Sequence, residues 1–518
     1  MLTPEELATI AETMQPHLDE LNMWISQDMI RRFMARMGRG EKDLLSGTDQ
    51  WQAQVYKEAG GLYEDLQKEL HNFTGKSEDE IKAIFEDAGI RAWNADDIFY
   101  VAQGFESVPL LSSERMLNIL TDCYQRTNNE VYNFTRTTAN ETQRRFIKLL
   151  DSTHMKVMSG AQSYTAAVKE AVNELASTQT EVIYPSGHKD TIETAVLRAV
   201  RTGVAQASGN MTLQGMEERD WDLIRVSAHL GARYGDGGEN PGNHYWWQGK
   251  LYSRTGRDKR YPDFISSTGY GSGEGLCGWN CRHSYGPGEP EHNPYKEYDA
   301  EENKKAYDLS QKQRKIERTI RADKLKAKGL REAIDCAEDK TLKKELSEDY
   351  EKASARLSMH NAEYNHFCES NGLKRYDDRL SIAKWNRSEA MKAVHATKYY
   401  NATEALKKMR ESGIIRTTGK YTKDFIVPQN LNFEGTHLVA RMKERNLSEE
   451  YIYDIINNPN AVLSTRRGKQ YVFYSEKGFA AVNVDGKIQT AGHLDVGGNS
   501  ILEVAKKYGI YRKRHKAE

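Results

Sequence analysis

Two groups of residues in this 518-residue chain have the types and spacing that chemistry requires. The first is Gly275-Leu276-Cys277-Gly278-Trp279-Asn280-Cys281-Arg282-His283, preceded by His229 and His244. Cys277, Cys281, His283 and His244 together are a donor set of the kind that holds Zn²⁺ tetrahedrally. A structural zinc site usually shows two short-spaced ligand pairs, and here there is one. Two other readings therefore stay open: a packed, hydrogen-bonded loop whose thiols act as small hydrophobes, and a Cys277–Cys281 disulfide formed in an oxidising location.

The second group lies near the C-terminus. His437, Arg441 and Arg445 are spaced i, i+4, i+8 and would form one polar stripe on a helix. Cations beside a histidine suit phosphodiester chemistry, because arginine stabilises charge developing on phosphorus and histidine can give or take a proton near neutral pH. Thr490, His493 and Asp495 are polar residues at the end of the following strands that could complete such a site, with Lys477 a further cation. The competing reading is a solvated helix face.

The elements that must carry these groups follow from periodicity. Residues 1–220 read as helices, opening on Thr3 as N-cap with Pro4 in the first turn, and breaks are expected at Gly38-Arg39-Gly40, Gly60-Gly61, Pro109 and Ile183–Gly187. Residues 231–288 hold 14 of the 39 glycines and residues 221–279 four of the eight tryptophans, which predicts a compact irregular segment over 221–298 held by aromatic anchors. No proline occurs between Pro294 and Pro428. In this stretch Leu346, Tyr350, Ala353, Leu357, His360, Tyr364 and Phe367 recur at gaps of four and three, the seam of a coiled coil. A long helical hairpin is predicted over 299–425, with arms 307–328 and 330–368 and its break at Gly329. Residues 432–518 predict a small α+β domain: helices at 437–446 and from Ser448 to Asn457, strands at 461–465, 471–475, 479–484 and 487–491, a last helix at 500–508, and a basic Arg512-Lys513-Arg514 tail. The fold class is thus multidomain, a mainly α body with a helical hairpin plus a C-terminal α+β domain with an antiparallel sheet.

Composition narrows the partners. No run approaches the ~20 apolar residues that a bilayer needs, and the N-terminus lacks a secretory pattern, so a soluble protein made in a cytoplasm is expected, with no membrane partner. Five cysteines do not suggest a disulfide framework. The net charge of −1 hides an asymmetry: residues 1–150 carry 16 Lys+Arg against 25 Asp+Glu, whereas residues 432–518 carry 14 against 10. A nucleic-acid partner is thus unexpected for the body and compatible with the tail.

Two resemblances sharpen this. Ala228–Arg233, His244, Trp247–Ser253, Thr268–Gly271, the Gly275–His283 block and Gln311–Arg318 resemble the signature blocks of the tailed-phage minor capsid protein family (type 2). That resemblance implies a structural virion role near the portal, in a few copies per head, with phage portal and major capsid proteins as partners and the host bacterial cytoplasm as the place of assembly. Thr436-His437-Leu438, Arg441-Met442, Arg445, Leu447-Ser448, Asn458-Pro459 and Lys477-Gly478-Phe479 resemble phage-borne domains of the barnase–EndoU–colicin–RelE nuclease superfamily. By that resemblance the C-terminal domain is a metal-independent endoribonuclease toxin acting on RNA without a cofactor, with His437, Arg441, Arg445 and Thr490 as active-site candidates and zinc, if any, confined to the Cys/His block. The rival reading is a purely structural protein whose C-terminal domain is a docking module.

Overall fold

Capping sets the first boundary. Thr3 begins α1 (Pro4–Thr9): its hydroxyl accepts from the Glu6 N–H at 3.2 Å, and the Glu6 carboxylate accepts from the Thr3 N–H at 2.7 Å. In this computed structural model, which describes residues 1–41, 48–177, 180–411, 420–421, 425, 427–459, 461–475 and 477–493, the helices α2 (Gln15–Met37), α3 (Thr48–Ala102), α4 (Glu114–Met158) and α5 (Tyr164–Ser177) follow. The hairpin β1 (Glu181–Ile183) and β2 (Lys189–Thr191) leads to α6 (Ile192–Glu218). The break expected at Gly60-Gly61 is absent, and α3 runs straight through it. Two glycines cost a helix about 2 kcal/mol, and burial of Trp51, Val55, Leu62, Leu66 and Leu70 along one face outweighs that.

The Gly- and Trp-rich segment contains β3 (Leu223–Val226), α7 (His244–Trp247), β4 (Leu251–Ser253), α8 (Phe264–Thr268) and β5 (Tyr285–Pro287), with an antiparallel sheet in the order β4-β3-β5. Beyond it lie α9 (Ala300–Cys336), α10 (Lys340–Ser370) and α11 (Arg387–Glu411), then β6 (Lys420–Tyr421), α12 (Thr436–Glu444), α13 (Glu449–Asn457), β7 (Ala461–Thr465), β8 (Gln470–Tyr474), β9 (Gly478–Asn483) and β10 (Ile488–His493). No helix among the described residues is long and apolar enough to cross a membrane.

The chain divides into two units, residues 1–343 with 363–384, and residues 344–362 with 385–518. In the first, α3, α4 and α6 pack on one another, as do α2, α5 and α9. Gly329 is not a break. It sits buried inside α9, where an added Cβ would lie 2.8 Å from Ala176 Cβ and 2.9 Å from Ile30 Cδ1. The glycine lets three helices approach closely, and its flanking Ala327, Leu330, Ala333 and Ile334 are buried with it. The turn comes instead at Ala337–Asp339, where Asp339 caps α10 by accepting from the Leu342 N–H at 2.7 Å.

In the second unit, β7 to β10 form an antiparallel meander in sequence order, with the two-residue β6 at the β7 edge. One face is covered by α12 and α13: Leu438, Ile452, Ile455 and Ile456 from the helices meet Val462, Phe473, Ala480, Val482, Ile488 and Ala491 from the strands. The predicted helix at 500–508 and the basic tail lie outside the described residues.

Candidate functional site

Strand pairing assembles the Cys/His block. β3 and β5 are neighbours with Val226 opposite Tyr285, and the ladder continues as the Ser227 N–H donates to the Ser284 carbonyl at 2.9 Å. His229 and His283, just outside that pairing, therefore stack with centroids 4.5 Å apart and planes 23° from parallel. Asn243 caps α7 and so directs His244 and Trp247 inward; the Trp247 ring stands edge-on to His283 at 4.8 Å. The loop back to β5 turns through Cys277 and Asn280, both at positive φ.

Each imidazole has one nitrogen held by an oxygen. His283 Nε2–H donates to Gln248 Oε1 at 3.0 Å, His244 Nε2–H to the Glu274 carbonyl at 2.8 Å, and His229 Nδ1–H to the Leu230 carbonyl at 3.0 Å. The remaining nitrogens are free to accept. His283 Nδ1 lies 3.7 Å from Cys281 Sγ, and the His283 backbone N–H points at the same sulfur at 3.4 Å. The donor atoms of His244, Cys281 and His283 all fall within 4.8 Å of one another, and all three residues are buried. Cys277 is outside that trio, although its Sγ and that of Cys281 approach the same His283 carbonyl oxygen, at 3.8 and 3.9 Å. Burial pushes His229 down to about 4 and His244 to about 3, with Arg282 and Arg233 respectively adding to the effect, and it pushes His283 well down too. The rings are neutral, the form that ligates metal. Burial raises both thiols, and both cysteines are free rather than disulfide-bonded.

Gln248 was not singled out by spacing, yet its Oε1 also accepts the His229 N–H at 3.0 Å and so fixes two of the histidines. Its place beside Trp247 in a block of ordinary polar type gives no such signal.

In the second unit the polar residues separate. His437 is exposed on α12 and makes no hydrogen bond among the described residues; Arg441, one turn on, is half-exposed and pairs with Glu444 at 2.6 Å. Arg445 ends the helix and donates from Nη1 to the Ala491 carbonyl at 2.8 Å. His493 Nε2–H donates to the Arg445 carbonyl at 2.8 Å, and its Nδ1 lies 2.7 Å from the Tyr451 hydroxyl, which donates its proton to the Lys477 carbonyl. Lys477 itself pairs with Asp454 at 2.7 Å. Arg445, His493, Lys477 and Tyr451 thus form one knot joining α12, α13, β9 and β10. Thr490 does not join it. It pairs with Ala481 across from the core positions Ala480 and Ala491, which puts it on the sheet face that α12 and α13 do not cover. Asp495 lies outside the described residues.

Residues 2–369, which hold the largely helical body and its buried Cys/His block, match the family described as Phage minor capsid protein 2. That makes this a structural protein of the phage virion. The chain belongs to the Phage minor capsid protein 2 family. No curated protein and no solved structure matches it. The C-terminal α+β domain falls outside the family match.

Proposed function

We propose that this minor capsid protein sits near the portal in several copies, in contact with portal and major capsid proteins, and that its C-terminal domain is a metal-independent endoribonuclease. The exposed face of α12 carries the RNA reading, because it presents His437 without a hydrogen-bond partner among the described residues one helical turn from Arg441. His437 takes the proton from an RNA 2′-hydroxyl as that oxygen attacks phosphorus. The 5′-oxygen leaves and takes its proton from solvent water, a 2′,3′-cyclic phosphate remains, and Arg441 neutralises the charge gathering on the phosphoryl oxygens. Arg445 and His493 are positioning residues, since their polar atoms hold α12 to β10, and Thr490 has no part from the opposite sheet face. The test is incubation of the full chain with total RNA and tRNA. Cyclic-phosphate ends that disappear in His437→Ala and Arg441→Ala support the reading; intact RNA refutes it. Deleting residues 432–518 separates the rival: heads that fail to assemble without it mark a docking module.

The Cys/His block fits a structural zinc ion held by His244 Nδ1, His283 Nδ1 and Cys281 Sγ, with Cys277 the nearest further thiol. The ion would crosslink α7 to the loop before β5, while Gln248 and the Glu274 carbonyl orient the imidazoles, as second partners of metal-bound histidines do. Metal analysis of the purified chain should find stoichiometric zinc, lost in Cys281→Ser. A metal-free chain whose melting temperature ignores EDTA rules it out.

A further inference from the structure

A cavity of about 540 Å³ opens within the first unit, between the α1–α2 junction, α6, α9 and the Cys/His block. Eight arginines line it against four carboxylates. Some of these arginines are neutralised: Arg321 by Asp19 at 2.6 Å and Glu193 at 2.8 Å, and Arg198 by Asp190 at 2.6 Å. Others are not. Arg282 is half-buried and forms no side-chain hydrogen bond or ion pair among the described residues; the same holds for Arg318 at the exposed rim. Arg201 is half-buried and, among the described residues, donates only to the Leu7 and Ala8 carbonyls, at 3.0 and 3.4 Å. Arg314 meets its nearest carboxylate, Glu317, only at 4.0 Å, and Glu317 already accepts from the Tyr364 hydroxyl at 2.7 Å.

Guanidinium groups gathered in a partly enclosed space without counter-charges repel one another and are poorly solvated. Burial, with Arg314 and Arg282 behind it, pulls Arg201 down to about 10. Such a cluster loses that strain when an anion enters, and the planar guanidinium fork matches phosphate oxygens two at a time. The volume is that of a small-molecule site rather than of a single ion.

We infer that this cavity is a binding site for phosphate groups that together carry more than one negative charge, held by Arg201, Arg282 and Arg314 with Arg318 at its entrance. The charges come either from one free di- or polyphosphate or from successive singly charged phosphodiesters of a nucleic-acid backbone, and both present non-bridging phosphate oxygens.

Calorimetric titration of the full chain at low ionic strength with inorganic pyrophosphate, and separately with a short DNA oligonucleotide, tests this. Binding of pyrophosphate alone identifies a small-ligand site, and binding of both identifies a site that takes backbone phosphates. In either case Arg282→Gln should weaken binding roughly ten- to a hundredfold, the loss expected for one charge-assisted hydrogen bond. The same variant should melt at or above the wild-type temperature in phosphate-free buffer, because it removes an unpaired cation. Arg318→Gln, a change at the exposed rim that leaves packing alone, should weaken binding as well. If neither probe binds at millimolar concentration, or if both variants bind as tightly as wild type, the proposal is overturned.

Discussion

Replacing Gly329 with alanine tests the packing of α9 against a rule that points the other way. In an exposed helix interior, Gly→Ala gains about 1 kcal/mol. At Gly329 the new methyl would stand 2.8 Å from Ala176 Cβ, 2.9 Å from Ala176 Cα and 2.9 Å from Ile30 Cδ1. The Ala176 Cα belongs to the backbone of α5 and cannot swing aside, so the helices must separate. Overpacking of this kind costs about 1–3 kcal/mol, which leaves Gly329→Ala neutral to about 2 kcal/mol destabilised once the helix gain is subtracted. Gly75 provides the internal control, since it lies inside α3 with nothing within 4 Å of its added Cβ, and Gly75→Ala should gain about 1 kcal/mol. All the tryptophans except Trp385 fall in the first unit, so denaturant unfolding followed by tryptophan fluorescence reports mainly on it. The two variants should differ by about 1–3 kcal/mol, with Gly75→Ala the more stable. If Gly329→Ala stabilises as much as Gly75→Ala, the close approach of α9 to α2 and α5 is refuted.

Three further outcomes are expected. Arg321→Ala should destabilise the first unit by about 3–5 kcal/mol in the same assay, because it leaves the buried Asp19 carboxylate without its cation. Burial alone would raise the Asp222 carboxyl, but hydrogen bonds from Ser253 and Thr255 and the charge of Arg257 hold it below its ordinary value. Its stabilisation is therefore complete above the usual carboxylate range of about 3.9 and is lost as pH falls through the lowered folded value. Asp222→Asn should accordingly destabilise at neutral pH, with the gap to wild type closing under acid, as read from melting temperature against pH. Tyr451→Phe removes the hydroxyl between His493 and the Lys477 carbonyl, and should cost about 1–3 kcal/mol in the C-terminal domain, measurable as faster amide exchange in α13 and β10.

The C-terminal domain was the most legible part, for a local reason. Ser448 as cap, Asp485-Gly486 as turn and the alternation of 470–483 act over a few residues, and helices and strands formed within a few residues of the predicted bounds. Of the seam predicted on α10, Leu346, Tyr350, Ala353, Leu357 and Tyr364 are buried, while His360 and Phe367 are half-buried. Gly60-Gly61 and Gly329 were misread because glycine weakens a helix without ending it, and whether it does so depends on what the helix packs against. At Gly329 the demand came from Ala176 and Ile30, distant in sequence. The stripe His437–Arg441–Arg445 was visible as spacing, but strand register decided that Thr490 faces away and that Arg445 is spent on the Ala491 carbonyl.

The sequence by itself determined residue chemistry and short-range geometry: a helical body, a small α+β domain, a Cys-x₃-Cys-x-His block with upstream histidines, and an acidic start set against a basic C-terminal segment. Periods, caps and turns are encoded within one or two turns of chain, so they can be read there. Only the tertiary structure decided which distant groups meet. The β3–β5 pairing brought His229 onto His283, the α7 cap turned His244 toward Cys281, and the meeting of α6, α9 and the Cys/His block left arginines facing one another across a cavity. Those juxtapositions depend on contacts between elements dozens to hundreds of residues apart, and no local spacing records them.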